Sequence, residues 1–243
     1  MTSRPALAGR WVLLDEVGRG ASGVVWRAWD RRARTCVAVK ELGSADPGDV
    51  GAVDHPHVLA RTALVAEGDA FFVVMDLVRG GSLLELCTEH GRLPEAYVAV
   101  VVDQLLQALA AVHAHGVVHR DVKPANLLLD ATGSGRPRVR LADFGDARTI
   151  GTRGYLAPER EAGTPPHPSQ DVYAAGVLTR RLLDRPGPLA TLADSMARVE
   201  PERRPTAAGA LARLRSLPVP RGSSWPRVPD RFGTLRSAVG TGE

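Results

Sequence analysis

Two short segments decide the architecture: His119-Arg120-Asp121-Val122-Lys123-Pro124-Ala125-Asn126 and, a little further on, Asp143-Phe144-Gly145. The first follows Val98, Val101, Val102, Leu105, Leu109 and Val112 at helical spacing, a run opened by Pro94 and closed by Gly116. Between the two segments, residues 127–129 and 139–142 read as short strands. Two aspartates, a lysine and an asparagine therefore fall on loops at the ends of apolar elements, where chemistry is commonly carried. Composition singles out the same residues. Of 31 basic residues only Lys40 and Lys123 are lysines, and Asn126 is the single asparagine. Arginine serves wherever a generic positive charge suffices, so these exceptions mark places that need a compact ammonium or a side-chain amide.

Working outward, residues 11–17, 24–29, 35–42, 58–65 and 70–77 are expected as strands, rich in bulky and β-branched residues. Gly18-Arg19-Gly20-Ala21-Ser22-Gly23 sits between the first two. Glycines there let the backbone approach phosphates, and a dinucleotide-binding turn is excluded because a strand, not a helix, follows. Taken alone, the pattern is also what a hairpin turn looks like. In Val37-Ala38-Val39-Lys40 the period of two puts Ala38 and Lys40 on one face. The small side chain leaves room for a purine, and the ammonium reaches toward phosphates. Further helices are expected over 171–183 and 206–215. Strands come mostly first and helices mostly second, so two lobes with a cleft between them follow.

In this order and spacing the motifs resemble the eukaryotic-like (Hanks-type) serine/threonine protein kinases of bacteria, over about residues 11–215. The resemblance implies an α+β fold with a β-rich N-lobe (11–77), a hinge (76–81) and a larger helical C-lobe (82–215) around an ATP cleft. Residues 1–10 are then an N-terminal extension, and 216–243, dominated by Pro, Gly, Ser and Arg, a disordered tail. The roles it implies fit the needs of phosphoryl transfer, which are positioning and charge neutralisation. Asp121 would accept the substrate hydroxyl's proton, and Asn126 and Asp143 would hold Mg²⁺ (or Mn²⁺). Lys40 would bind the α- and β-phosphates, and Lys123 the γ-phosphate. Val17, Gly18, Gly20, Gly23, Val25, Ala38, Met75, Asp76, Val78 and Leu128 would enclose ATP, with Met75 as gatekeeper and Val25, Ala38 and Leu128 sandwiching the ring. His119, Arg120, Phe144, Gly145, Thr152, Glu159, Asp171 and Arg204 would be structural or regulatory, with Arg204 the ion-pair partner of Glu159.

The chain departs from that pattern in three places. Residues 41–54 replace a full helix whose glutamate pairs with the strand lysine; they contain Pro47 and three glycines. Glu41 points to the face opposite Lys40, which leaves Asp46 or Asp49 as candidate substitutes and Lys40 expected on Asp143 or in solvent. A partner or second copy of the chain is the expected complement to this lobe. Only residues 146–156 separate Asp143-Phe144-Gly145 from Ala157-Pro158-Glu159, with Thr149 as a phosphorylation candidate. The segment after Asp184 is short and Pro/Gly-rich, so a docking helix there is expected to be missing. An active kinase acting on protein Ser/Thr hydroxyls, with its own among the candidates, is the leading expectation. A pseudokinase scaffold or a small-molecule kinase on a similar fold stays open beside it.

The remaining features exclude more than they add. The formal charge is +4, but no run of like charge tracks a nucleic-acid backbone. Cys36 and Cys87 lack metal or redox spacing, and residues 1–9 lack the apolar run of a signal peptide. The longest apolar run, 96–102, is too short for a bilayer. A cytoplasmic protein is expected. His113, His115 and His119 are expected to be structural rather than a metal site, and Arg31, Arg32 and Arg34 a solvated hairpin.

Overall fold

The computed structural model describes residues 6–20, 23–42, 53–144, 151–218 and 225–233. The small lobe is an antiparallel sheet of β1 (Trp11–Gly20), β2 (Gly23–Asp30), β3 (Thr35–Glu41), β4 (Arg61–Glu67) and β5 (Ala70–Asp76), in the order β1-β2-β3-β5-β4. Cross-strand partners share a face. Ala28, Val37, Val39, Phe72 and Val74 are buried on the outer face under Leu7 and Trp11. The opposite face pairs Val25 with Lys40 and Arg27 with Ala38 and looks toward the large lobe.

The lobe begins before Trp11, because Asp30 anchors the preceding residues. Its carboxylate accepts from Arg10 Nε at 2.9 Å, Arg10 Nη2 at 2.6 Å, Trp11 Nε1 at 3.2 Å, and the N–H groups of Arg32 and Ala33. The hydrogen-bonded Arg10 guanidinium leads the effects that hold this carboxyl far below the usual range. Residues from 6 onward are therefore part of the lobe and not an appendage to it.

The large lobe contains α1 (Leu83–His90), α2 (Glu95–Ala114), β6 (Leu127–Leu129), β7 (Val139–Leu141), α3 (Pro158–Glu161), α4 (Pro168–Leu182), α5 (Pro188–Met196) and α6 (Ala207–Ser216). Its core is α2, whose Tyr97, Val98, Val101, Leu105, Leu109 and Val112 are fully buried against α4 and α6. At 20 residues α2 is long and apolar enough to cross a bilayer, but 67% of that stretch is buried inside the lobe.

Several boundaries differ from the sequence expectation. β4 starts at Arg61 rather than Val58 because residues 57–59 pair with β7 instead: Leu59 N–H donates to Leu141 O and Leu141 N–H to His57 O, both at 2.9 Å. Helix α1 was not foreseen, although Ser82 and Glu85 form a capping box ahead of it. A helix does exist after Asp184. Pro188 opens α5, the fixed φ of proline suiting a first helical position, and Leu189, Leu192, Ala193 and Met196 bury it. The disordered tail is also corrected for residues 225–233, which pack on the large lobe with Val228 fully buried.

Candidate active site between the lobes

The 119–126 loop is held from below by one carboxylate. Asp171, at the start of α4 and 1% exposed, accepts the backbone N–H of His119 (Oδ2) and of Arg120 (Oδ1), both at 2.8 Å. His113 Nε2, from the last turn of α2, donates to the same Asp171 Oδ2 at 2.9 Å. Arg120 sits at φ +74°, a conformation a non-glycine residue keeps only where its surroundings impose it. His119 ties this loop to the next. Its Nδ1 accepts the Asp121 N–H at 3.2 Å, so Nε2 is the donor to Ala142 O at 2.8 Å. Its ring meets Phe144 edge-on at 4.7 Å. Complete burial pushes the His119 imidazole below its ordinary value, keeping it neutral.

Asp121, Lys123, Asn126 and Thr152 form one hydrogen-bonded group. Asp121 Oδ1 accepts from the Thr152 hydroxyl at 2.7 Å, and Oδ2 lies 2.6 Å from Lys123 Nζ. Lys123 Nζ also donates to Thr152 Oγ1 at 2.8 Å. The Asn126 amide N–H₂ reaches Asp121 O at 2.8 Å and Oδ2 at 3.1 Å, leaving its carbonyl oxygen uncommitted to Asp121. Burial pushes the Asp121 carboxyl up, but the Lys123 and Thr152 hydrogen bonds and the Lys123 charge outweigh it and hold the group below the usual carboxylate range.

Across the cleft, Lys40 Nζ donates to Asp143 Oδ1 at 2.8 Å, as expected for the free chain. Asp143 is itself at φ +63°. Glu41 faces the other way, accepting from Trp26 Nε1 at 3.2 Å. Gly18 and Gly20 lie on β1 opposite Val25 and Gly23. At Gly23, φ +127°, a Cβ would come 2.0 Å from Glu41 O, so only glycine fits. Val17 and Val25 are half-buried on these strands. Ala38, 6% exposed, pairs with Met75 on the sheet. From the other lobe Leu128 joins Met75, Val78, Leu59 and Ala142 in one apolar cluster. The Asp76 side chain points outward and accepts from Arg140 Nη1 at 3.1 Å.

The structure also pairs Arg204 with Glu159, through Nη1–Oε1 at 2.6 Å and Nη2–Oε2 at 2.8 Å. Arg204 spends its other donors on Arg198 O, Val199 O and Ser169 O and lies 4.8 Å over Tyr173. Gly145, Thr149, Asp46 and Asp49 lie outside the described residues. Of the three clustered histidines, His113 bonds Asp171, His119 bonds Ala142 O and His115 bonds Ala111 O. What sequence alone missed is that His113 serves Asp171. No local signal joins positions 58 residues apart; only the burial of an acid at a helix start hints at a partner.

The chain matches the family described as protein kinase domain over residues 11–198. It is 34% identical over 216 residues to the serine/threonine-protein kinase PkaA of Streptomyces coelicolor, covering 73% of this chain and 39% of that protein. It is 39% identical over 207 residues to PkaB of the same organism, covering 73% of this chain and 49% of the relative. With PknL of Mycobacterium tuberculosis the identity is 36% over 202 residues, covering 73% and 50%. The chain thus spans half or less of the length of these relatives. Among solved structures, Rad53 1-466 in complex with AMP-PNP superposes with a TM-score of 0.71 at 23% identity, covering 84% of this chain and 64% of that one, a likeness of fold. With a five-stranded lobe set over a helical one and its motifs meeting in the cleft between them, this chain belongs to the protein kinase domain family.

Proposed function

We propose that the chain is a serine/threonine protein kinase that moves the γ-phosphate of ATP onto Ser or Thr hydroxyls of proteins, its own among them. The observation that carries this reading is the Asp121–Thr152–Lys123 group: an ionised carboxylate that already accepts a hydroxyl hydrogen bond at 2.7 Å, with an ammonium 2.6 Å away. A general base needs that reach, and a transferring phosphoryl group needs that cation. Lys40 is the cation placed for the α- and β-phosphates. Ala38 and Leu128, from opposite lobes, with Met75 and Val78 offer the apolar walls for adenine.

The Asp143 carboxylate and Asn126 amide oxygen are hard donors that fit Mg²⁺ or Mn²⁺. A divalent cation held there neutralises phosphate charge. The protein's part is to orient those donors, through His119 and the Asn126–Asp121 bonds. A partner or second copy of the chain that completes the small lobe belongs to the same proposal, supported by Lys40 resting on Asp143. Specific activity that rises with protein concentration supports it; constant activity removes it.

The test is phosphotransfer from labelled ATP with Mg²⁺ to a generic basic protein and to the chain itself, beside Asp121→Asn. Label transfer lost by a factor of about 10² or more in the variant is expected for removal of a general base. Equal transfer by both proteins overturns the assignment, and none by either favours a nucleotide-binding scaffold.

A further inference from the structure

Residues 225–233 lie beyond the 11–198 span that matches the family, yet they touch both lobes and the hinge between them. On the large lobe, Val228 is fully buried and exchanges backbone hydrogen bonds with Gly133, at 2.8 and 2.9 Å. Trp225 packs against Tyr97 of α2 with ring centroids 5.9 Å apart. At the hinge, Arg231 N–H donates to Arg79 O at 2.9 Å and Arg231 Nε to Gly80 O at 3.1 Å. Arg79 Nε returns a bond to Asp230 Oδ2 at 2.8 Å, and Arg231 Nη2 reaches Glu89 of α1 at 2.7 Å. On the small lobe, Arg27 Nη1 donates to Phe232 O at 3.2 Å, and its guanidinium lies 5.6 Å over the Phe232 ring.

The segment packs closely on the hinge glycines. A Cβ on Gly80 would meet Leu129 O at 2.4 Å as well as Val228 Cγ1 at 2.5 Å, and one on Gly81, at φ +81°, would come 2.4 Å from Arg231 Nε. The small-lobe contact also falls at a telling place. Arg27 stands opposite Ala38 in the β2–β3 ladder, on the face that looks into the cleft, and is fixed from its other side by Asp15 of β1. A segment seated on the large lobe and bonded to Arg27 therefore sets where β2 stops above the cleft.

We propose that residues 225–233 are a strap that positions β2 over the nucleotide, with Phe232 as the positioning residue and Arg27 as its receiver. The inference rests on the kinase reading for its effect on ATP, though not for the strap itself. Lobe closure is absorbed by a few hinge residues, and ordering them in advance lowers the cost of binding. Losing the strap's grip should therefore weaken ATP binding while leaving the chemical step and the protein-substrate site alone.

The experiment compares the full chain with Phe232→Ala and Phe232→Tyr, measuring KM for ATP, KM for a generic protein substrate, and kcat. Amide hydrogen exchange in β2 is followed in parallel. In Phe232→Ala the ATP KM should rise by about three- to tenfold, the scale of one cation–π contact with its ordering. Protein-substrate KM and kcat should stay within about twofold, β2 amides should exchange faster, and Phe232→Tyr, which keeps the ring, should restore the parent values. In an active chain, an unchanged ATP KM in Phe232→Ala overturns the proposal. If the parent chain shows no phosphotransfer, the kinase reading fails and exchange alone decides the strap. Faster β2 exchange in Phe232→Ala and not in Phe232→Tyr then upholds it, and unchanged exchange overturns it.

Discussion

Replacing Asp171 by asparagine keeps the shape of the side chain and removes what its position depends on. The carboxylate is 1% exposed and accepts three hydrogen bonds, two at 2.8 Å from the N–H groups of His119 and Arg120 and one at 2.9 Å from His113. An amide has one accepting oxygen. Turned to keep His119 and His113, it points its N–H₂ at the Arg120 N–H, donor against donor. Turned the other way, it loses two partners. The better orientation still leaves one buried N–H unpaired, at about 1–3 kcal/mol, and weakens two charge-assisted bonds to neutral ones. A total of about 3–5 kcal/mol follows. Arg120 at φ +74° then loses the bond that holds it there, and the neighbouring Asp121 is released with it. Denaturant unfolding should show the midpoint fall with an unchanged slope. Phosphotransfer, measured where the variant is still folded, should fall by about tenfold or more, since a displacement near 1 Å at a catalytic group has that scale. A stability loss under about 0.5 kcal/mol with kcat within twofold would refute the argument that Asp171 holds this loop.

Three further outcomes are expected. Asp143→Ala should abolish metal-dependent ATP turnover, since it removes the carboxylate at the cleft and the Lys40 partner 2.8 Å away; unchanged turnover at saturating Mg²⁺ counts against the assignment. Lys123→Met removes the foremost group holding the Asp121 carboxyl down, so the carboxyl should rise from where it stands in the parent. The acid limb of the pH–rate profile should move to higher pH along with the loss in rate, and a limb that stays put contradicts this reading. Arg204→Ala should destabilise the fold by about 3–5 kcal/mol, because the Arg204 side chain is fully buried and its loss strands Glu159. In the parent, burial raises the Glu159 carboxyl but Arg204 prevails and lowers it, so the pair's stabilisation is present above the ordinary glutamate range. It is lost as pH falls through the lower folded value, and the variant's stability should depend less on pH there.

The cleft was legible in the sequence because its chemistry tolerates few substitutes. A chain that uses arginine for nearly all its positive charge keeps lysine at 40 and 123, and the structure puts one on Asp143 and the other on Asp121. The period of two on β3 correctly sent Ala38 and Lys40 to one face and Glu41 to the other. What escaped was set by contacts between distant residues. Val58 and Leu59 have the composition of a strand, but Val58 N–H turns back to His55 O and Leu59 N–H is taken by Leu141 of β7. Residues 225–233 contain two prolines, two arginines and little periodicity, a composition that reads as unstructured. Their order comes from a seat made by Gly80, Gly133 and Tyr97, and no local pattern encodes a seat.

Backbone strain shows why the two motifs must act together. Among the described residues the non-glycine positions with positive φ are Ala8, Arg34, Arg120 and Asp143, so two of the four flank the same cleft. Each such position costs about 1–3 kcal/mol and persists only where its neighbours overdetermine it. Arg120 is held by Asp171, while the chain around Asp143 is held by His119 through Ala142 O and Phe144. His119 sits beside Arg120, and its own N–H is on Asp171. One buried acid and one neutral imidazole therefore support both strained residues. Loss of either support should relax both loops, so the effects of Asp171→Asn and His119→Ala on phosphotransfer should be far from additive. A double variant whose loss equals the product of the two single losses would mean that the loops are held independently.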